Sequence, residues 1–256
     1  MRFDLSDREW GVIEPQLPPT RQGGKRADDR RVLNGIFYVL RSGIPWKDLP
    51  SRYGPHTTVY NRFRRWAKQG IWQRIFEALQ QQYPSSVEMI DTTMIPAHRA
   101  AAGAEKGDSP QANATRPRRL EPHGAVCTTK CHGVCDEHGR LRRFLLTAGQ
   151  RHDMMGVWDL MDEAPLDCTA LIADKGYDSQ ELRAWLRDQD LTPVIPKRGE
   201  DGQKPEENSD LYRERNLIER AFNRMKDYRR LAMRFDKLKV TFEATVALIA
   251  MRTWFL

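Results

Sequence analysis

Cysteine is scarce in this chain. Four residues in 256, Cys127, Cys131, Cys135 and Cys168, are too few to staple a protein of this size, so a disulfide framework is excluded and free thiols are expected. Long apolar runs are missing as well. No stretch reaches the roughly 18 to 20 residues that a membrane-spanning helix needs, and the opening MRFDLSDREW is too charged for a secretion signal. Together these absences predict a cytoplasmic protein with no membrane partner. The 17 glycines are scattered, and no glycine-rich phosphate loop is formed, so nothing points to an NTP requirement. No internal repeat is visible. What the chain does have is enough for a buried core: 39% hydrophobic residues, with seven Trp, nine Phe and seven Tyr, beside 30% charged residues for the surface.

The charge is unevenly placed. Residues 1–80 hold 15 basic and 8 acidic side chains, whereas residues 81–256 hold 27 of each, so the whole net charge of +7 lies in the first third. A basic front joined to a neutral back suggests that the front holds a polyanion and the back acts on it. The front reads as helices. Asp28 and Asp29 can cap a run from Arg30 to Arg41, stopped by Ser42-Gly43, whose apolar residues follow helical spacing. After Trp46-Lys47-Asp48-Leu49-Pro50 and the turn at Tyr53-Gly54-Pro55, His56-Thr57-Thr58 offers an N-cap for a helix from Val59 to about Gly70. This layout predicts an all-α, helix-turn-helix-like domain. Its last helix would turn Tyr60, Asn61, Arg62, Arg64, Arg65 and Lys68 to double-stranded DNA and Val59, Phe63 and Trp66 inward. A solvated basic helix in an ordinary bundle would show the same charges.

A further helix, Ile71 to about Gln82, ends in the linker Gln80 to Ser86, which divides the chain into a DNA-binding domain at 1–83 and a second domain at 84–256. There the texture becomes β-prone. Val87–Ile95, Val126–Val134 and Leu141–Thr147 predict three strands, with a long polar loop from Arg99 to Pro122 between the first two. Helix Met154–Asp162, strand Thr169–Ala173, helix Ser179–Gln189 and strand Pro193–Pro196 follow. A charged loop, Lys197 to Asn208, leads to a long helix from about Ser209 to Arg230, and an apolar helix begins near Lys237. Strands first, then helix and strand in alternation, predict an α/β fold: a mixed sheet with flanking helices.

Three acidic residues stand out. Asp91 interrupts the apolar run Met89 to Ile95, where a charge is costly to bury unless a cation meets it. Asp174 closes the strand Leu171-Ile172-Ala173, and ligands gather at the carboxyl ends of strands in open α/β sheets. Glu219 lies on the long helix, on one face with Tyr212, Arg215, Asn223 and Lys226, opposite the anchors Leu217, Ile218, Phe222 and Met225. Turn carboxylates and a solvated helix stripe are the structural alternatives. As three hard oxygen donors, Asp91, Asp174 and Glu219 suit Mg²⁺ or Mn²⁺. Two such ions about 4 Å apart support in-line displacement at a phosphodiester, with Arg215 and Lys226 placed to grip phosphates.

Tyr212-x2-Arg215-x3-Glu219-x6-Lys226, preceded by two aspartates in order, resembles the signature of DDE transposases of bacterial insertion sequences. The strings Ala173-Asp174-Lys175-Gly176-Tyr177-Asp178, Phe144 to Asp153 and Trp46-Lys47-Asp48-Leu49-Pro50 resemble the group called insertion sequence family five. The resemblance spans essentially the whole chain. It implies an RNase H-like catalytic domain, with Asp91, Asp174 and Glu219 as catalytic metal ligands. It also implies an enzyme that binds terminal inverted repeats, cleaves the element ends and joins their 3′-hydroxyls to target DNA. The 45 residues from Asp174 to Glu219 leave no room for a large insertion domain.

Joining two ends predicts a homodimer in the DNA complex, and the apolar segment Ala244 to Leu256 would either serve it or cover the sheet. The rival functions are a regulator that has lost cleavage and a nuclease that hydrolyses without joining. Cys127, Cys131 and Cys135 share a strand face, with His132 and His138 near; buried thiols are expected there rather than zinc, since no Cys-x-x-Cys knuckle is present. His152-Asp153 reads as a structural turn, with an acid/base pair as the alternative.

Overall fold

A computed structural model describes residues 3–19, 27–101, 128–163, 168–197 and 209–254. The chain opens with α1 (Asp7–Ile13), where Ser6 and Glu9 form a reciprocal capping box. That helix went unread in the sequence, although the Ser-x-x-Glu spacing was there to signal it. In α2 (Asp29–Ser42) Asp28 caps the start, and Gly43, at φ 75°, ends it in the left-handed conformation. Two 3₁₀ turns, Trp46–Asp48 and Ser51–Tyr53, lead to α3 (His56–Lys68). This helix starts three residues earlier than the sequence predicts. Pro55 takes the N-cap position and His56-Thr57-Thr58 form the first turn, where proline's missing N–H costs nothing. Gly70, at φ 65°, turns the chain into α4 (Ile71–Gln81).

Beyond the linker come β1 (Val87–Pro96), β2 (Thr128–Asp136) and β3 (Leu141–Ala148). Then follow α5 (Asp153–Glu163), β4 (Ala170–Ile172), α6 (Gln180–Asp188) and β5 (Thr192–Val194). The five strands lie in the order β3-β2-β1-β4-β5. β1 pairs antiparallel with β2, and β2 with β3; β4 is parallel to both β1 and β5. This is the mixed sheet of an RNase H-like fold. Pro193 is tolerated because β5 is an edge strand. The predicted loop 99–122 falls almost wholly outside the described residues, as do Val126 and Cys127 at the predicted start of β2, and the loop 198–208.

The long helix expected from Ser209 to Arg230 is instead four pieces. α7 (Ser209–Tyr212) tightens into a 3₁₀ turn at Arg213–Arg215, and α8 (Asn216–Lys226) follows. α9 (Arg229–Ala232) comes after a break at Asp227-Tyr228, and α10 (Lys239–Thr253) closes the described chain. The helical face deduced at 100° per residue therefore holds within α8 but changes pitch at Arg215, because 3₁₀ turns have three residues each.

Both faces of the sheet are covered. Ile90, Val134 and Leu171 pack with α5 and α6 on one side. Met89, Cys131, Cys135 and Ile172 point to the other, where α8 and α10 lie. α10 is buried nearly all round: Phe242, Val246, Leu248 and Ile249 are each at most 1% exposed. Its far side packs on α3 and α4, so one continuous core runs from the front helices to the sheet. This answers the two uses proposed for the apolar segment: residues 244–251 and 253 are covered within the chain itself and leave no free face there for a second copy. Arg230 of α9 ties the halves together. Its guanidinium donates to the Ile44 carbonyl at 2.8 Å and lies over the Trp46 and Phe235 rings at 5.8 and 5.0 Å.

Candidate active site

Strand register brings the two aspartates together. Met89 of β1 pairs with Ile172 of β4 in a parallel ladder, and Asp91 and Asp174 each stand two residues further along. Parallel partners point to the same face, so both side chains share the face of Met89 and Ile172, on which α8 packs. α8 is held there by Ile218, Ala221, Phe222 and Met225, all buried, which leaves Glu219 on the flank of the helix nearer solvent.

Glycine allows this approach. Gly133 of β2 is the cross-strand partner of Asp91, and a Cβ placed on it would lie 2.9 Å from the Phe222 ring and 2.8 Å from Leu141. Sequence reasoning missed Gly133. The signal was a lone glycine inside a β-prone run, which marks close approach of another element.

The Asp91 carboxyl senses the other two acids. Burial raises the Asp91 carboxyl to about 6, its backbone bond from Thr92 and the charge of Arg215 oppose this, and the charges of Asp174 and Glu219 add to it. Each acid is also engaged locally. Asp91 Oδ1 accepts from the Thr92 amide at 2.7 Å, and Asp174 Oδ1 accepts from the Gly176 amide at 2.7 Å. Glu219 Oε1 receives Arg215 Nη2 at 2.7 Å. Tyr212 belongs to the same neighbourhood: burial raises its hydroxyl pKa, which Arg215 lowers and Asp174 and Glu219 raise. Lys226 lies further along α8, over β2. There its charge partly offsets the burial that pushes the Cys131 thiol up to about 12.

Among the described residues no three His, Cys, Asp or Glu side chains stand close enough together to hold a metal ion as they are. In chemistry, however, the converging acids fit Mg²⁺ or Mn²⁺, being hard oxygen donors in a half-buried site whose mutual repulsion a cation would relieve.

The other predicted residues fall into place less uniformly. Arg65 and Lys68 are exposed on α3 with Thr57 and Asn61, a stripe at helical spacing, and Arg64 is half-buried. Arg62 departs from the expectation. It is 6% exposed, forms an ion pair with Asp29 of α2, and lies over the Trp66 ring at 5.0 Å. Tyr60 is likewise drawn to Trp46, with ring centroids 5.4 Å apart. The reason is that α2 and the Trp46–Asp48 turn together cover a wider flank of α3 than the apolar residues alone mark out.

Asp153 is an ion-pair partner of Lys130 at 2.7 Å, and His152 Nδ1 accepts from the Met154 amide at 3.3 Å, so the pair builds the start of α5. Cys131 and Cys135 are buried free thiols, and His132 points to the opposite face, bonded to Thr147 Oγ1 at 2.9 Å. Cys127 lies outside the described residues.

An aspartate within β1, a second just past the end of β4 and a glutamate on the helix that packs on the same face make an acidic site on a mixed five-stranded sheet. Comparison with known proteins makes that specific. Residues 83–254 match the family described as the transposase DDE domain, and residues 5–76 match one described as transposases of the IS4/5 family. The chain belongs to the DDE transposase family, of IS4/5 type.

A protein of Brucella ovis described as a transposase for insertion sequence element IS6501 is 33% identical over 128 residues, 50% of this chain and 98% of that one. One of Burkholderia cepacia, described as a transposase for insertion sequence element IS402, is 32% identical over 119 residues, 43% of this chain and 54% of that one. Among solved structures, the piggyBac transposase synaptic complex with hairpin DNA is a distant likeness. Its TM-score is 0.44 at 11% identity, over 94% of this chain and 68% of that chain. No helix among the described residues is long and apolar enough to cross a membrane.

Proposed function

We propose that this transposase binds the terminal inverted repeats of its own insertion sequence, cleaves the element ends, and joins the freed 3′-hydroxyls to target DNA. The observation that carries the reading is that Asp91 and Asp174 share one face of the sheet, that α8 with Glu219 packs on that face, and that Asp91 feels the charge of both other acids. Asp91, Asp174 and Glu219 would hold a pair of ions, in the manner of other sites that transfer phosphodiesters. When bound, Mg²⁺ or Mn²⁺ supplies activation of the attacking oxygen and charge stabilisation of the leaving one.

The chain's own groups do the rest. The carboxylates act as metal anchors and need carry no proton. Arg215, in the turn before α8, and Lys226, at the end of α8, would meet backbone phosphates once DNA is bound, the first as a fork and the second as a point charge. The exposed stripe of Arg65, Lys68, Asn61 and Thr57 on α3 is the surface for reading the element end, backed by the net positive charge of residues 1–80. Holding two ends for joining calls for a homodimer in the DNA complex.

The test is a labelled element-end duplex incubated with the full chain, Mg²⁺ and an unlabelled second DNA. Label covalently joined to the second DNA through its 3′ end is the expected result. Cleaved ends that are never joined would make the protein a nuclease, and intact DNA under conditions of full binding would make it a DNA-binding regulator.

A further inference from the structure

Arg215 is placed unlike a residue waiting for DNA. It ends the 3₁₀ turn that precedes α8, and its guanidinium is turned back onto Glu219 at 2.7 Å rather than outward. Glu219 is 48% exposed and Arg215 27%, so the glutamate is the more open partner and the arginine lies on the inner side. The charge of Arg215 is felt by Asp91 and by Tyr212, while Tyr212 in turn feels Asp174. The Arg215 guanidinium thus brings a positive charge to the acidic site. Meanwhile the three acids do not close into a cluster that could hold an ion.

A divalent ion and this guanidinium make the same demand on the Glu219 carboxylate. Both need its lone pairs, and two cations packed against one carboxylate repel each other. We infer that Arg215 is a positioning residue that holds Glu219 away from Asp91 and Asp174 in the DNA-free protein, so that the Arg215–Glu219 ion pair and metal binding exclude one another. A DNA phosphate, which offers the guanidinium a bidentate partner, releases Glu219 and lets the site close. Metal affinity and DNA affinity are then coupled through one side chain, and the coupling is reciprocal. The inference rests on the reading of Asp91, Asp174 and Glu219 as metal ligands.

The experiment measures Mn²⁺ binding to the full chain by the loss of the free-ion electron paramagnetic resonance signal, without and with element-end DNA. Arg215→Gln removes the competing charge and keeps a polar side chain of similar reach. It is expected to bind Mn²⁺ on the order of ten-fold more tightly than wild type without DNA. DNA should tighten Mn²⁺ binding in wild type and change it little in Arg215→Gln. Mn²⁺ binding that is unchanged or weaker in Arg215→Gln, with Asp91→Asn still abolishing it, would overturn the inference and leave the ligand assignment standing. Mn²⁺ binding indifferent to Asp91→Asn would overturn both. Arg215→Lys provides a second variant: a point charge that pairs less well with the carboxylate should give an intermediate affinity, and an affinity below that of wild type would count against the latch.

Discussion

At the scale of single residues, the site depends on what is small as much as on what is charged. Gly133 sits opposite Asp91, where Phe222 closes on the sheet, and any side chain there must push the ring or Leu141 aside. Gly133→Val is expected to lower stability by roughly 1–3 kcal/mol, the usual cost of overpacking, and to depress cleavage further by lifting α8 with Glu219. Urea unfolding and a cleavage assay check the two effects, and full activity in a folded variant would detach α8 placement from catalysis.

His132 shows a different residue-scale effect. It is 1% exposed, with its imidazole packed where a Cβ on Gly156 would come within 2.2 Å of it. Burial lowers its pKa to about 4, opposed by the nearby charge of Asp153. Because the folded pKa is below the unfolded value of about 6.5, its neutral form is favoured by folding. The associated stability is fully present above about 6.5 and is lost as pH falls toward 4. Urea midpoints measured from pH 7 to 4.5 should fall more steeply for wild type than for His132→Asn, and parallel curves would contradict the assignment.

At the scale of elements, α3 carries two kinds of arginine that the sequence does not tell apart. Arg62 is turned inward to Asp29, whereas Arg65 is exposed. Arg62→Ala removes the ion pair with Asp29 and the packing over the Trp66 ring and is expected to cost about 2–3 kcal/mol, somewhat less than for a fully buried pair. Arg65→Ala should leave the melting temperature almost unchanged, weaken binding to element ends, and reduce the salt dependence by about one phosphate contact. Salt titrations of binding and thermal melts of both variants check this, and the reverse pattern would mean that α3 presents another face.

The same elements show what sequence reasoning can and cannot reach. α2, α4 and the early strands were legible because their apolar spacing is a local signal, as are the glycine that ends α2 and the one that precedes α4. Asp91 and Asp174 were legible because a charge inside or at the end of an apolar run stands out. The breakup of the expected 209–230 helix was not legible, since every residue around Arg215 is compatible with a helix and only the backbone shows the 3₁₀ turn. The inward turn of Arg62 was hidden for a similar reason. Its partner is 33 residues away in sequence, on another helix.

For the whole molecule, the division at residues 83 and 84 marks a change of texture while the core runs through it. α10 fills the space between the sheet and α3 and α4, and Arg230 joins α9 to the Ile44-Trp46 segment. The basic front and the acidic site are thereby built on one body, so the proposed end recognition is to be tested in the full chain; residues 1–83 alone lack the helix that completes their core. The central claim is that Asp91, Asp174 and Glu219, drawn from three separate elements, form a single catalytic site. The most direct measurement compares cleavage of element-end DNA by wild type with that by Asp91→Asn, Asp174→Asn and Glu219→Gln, each matched for DNA binding. Loss of at least about a hundred-fold in cleavage for every variant, with binding retained, is the result expected when carboxylate charge holds the reacting centre. Near-normal cleavage by any one of the three would contradict the account and remove that residue from the site.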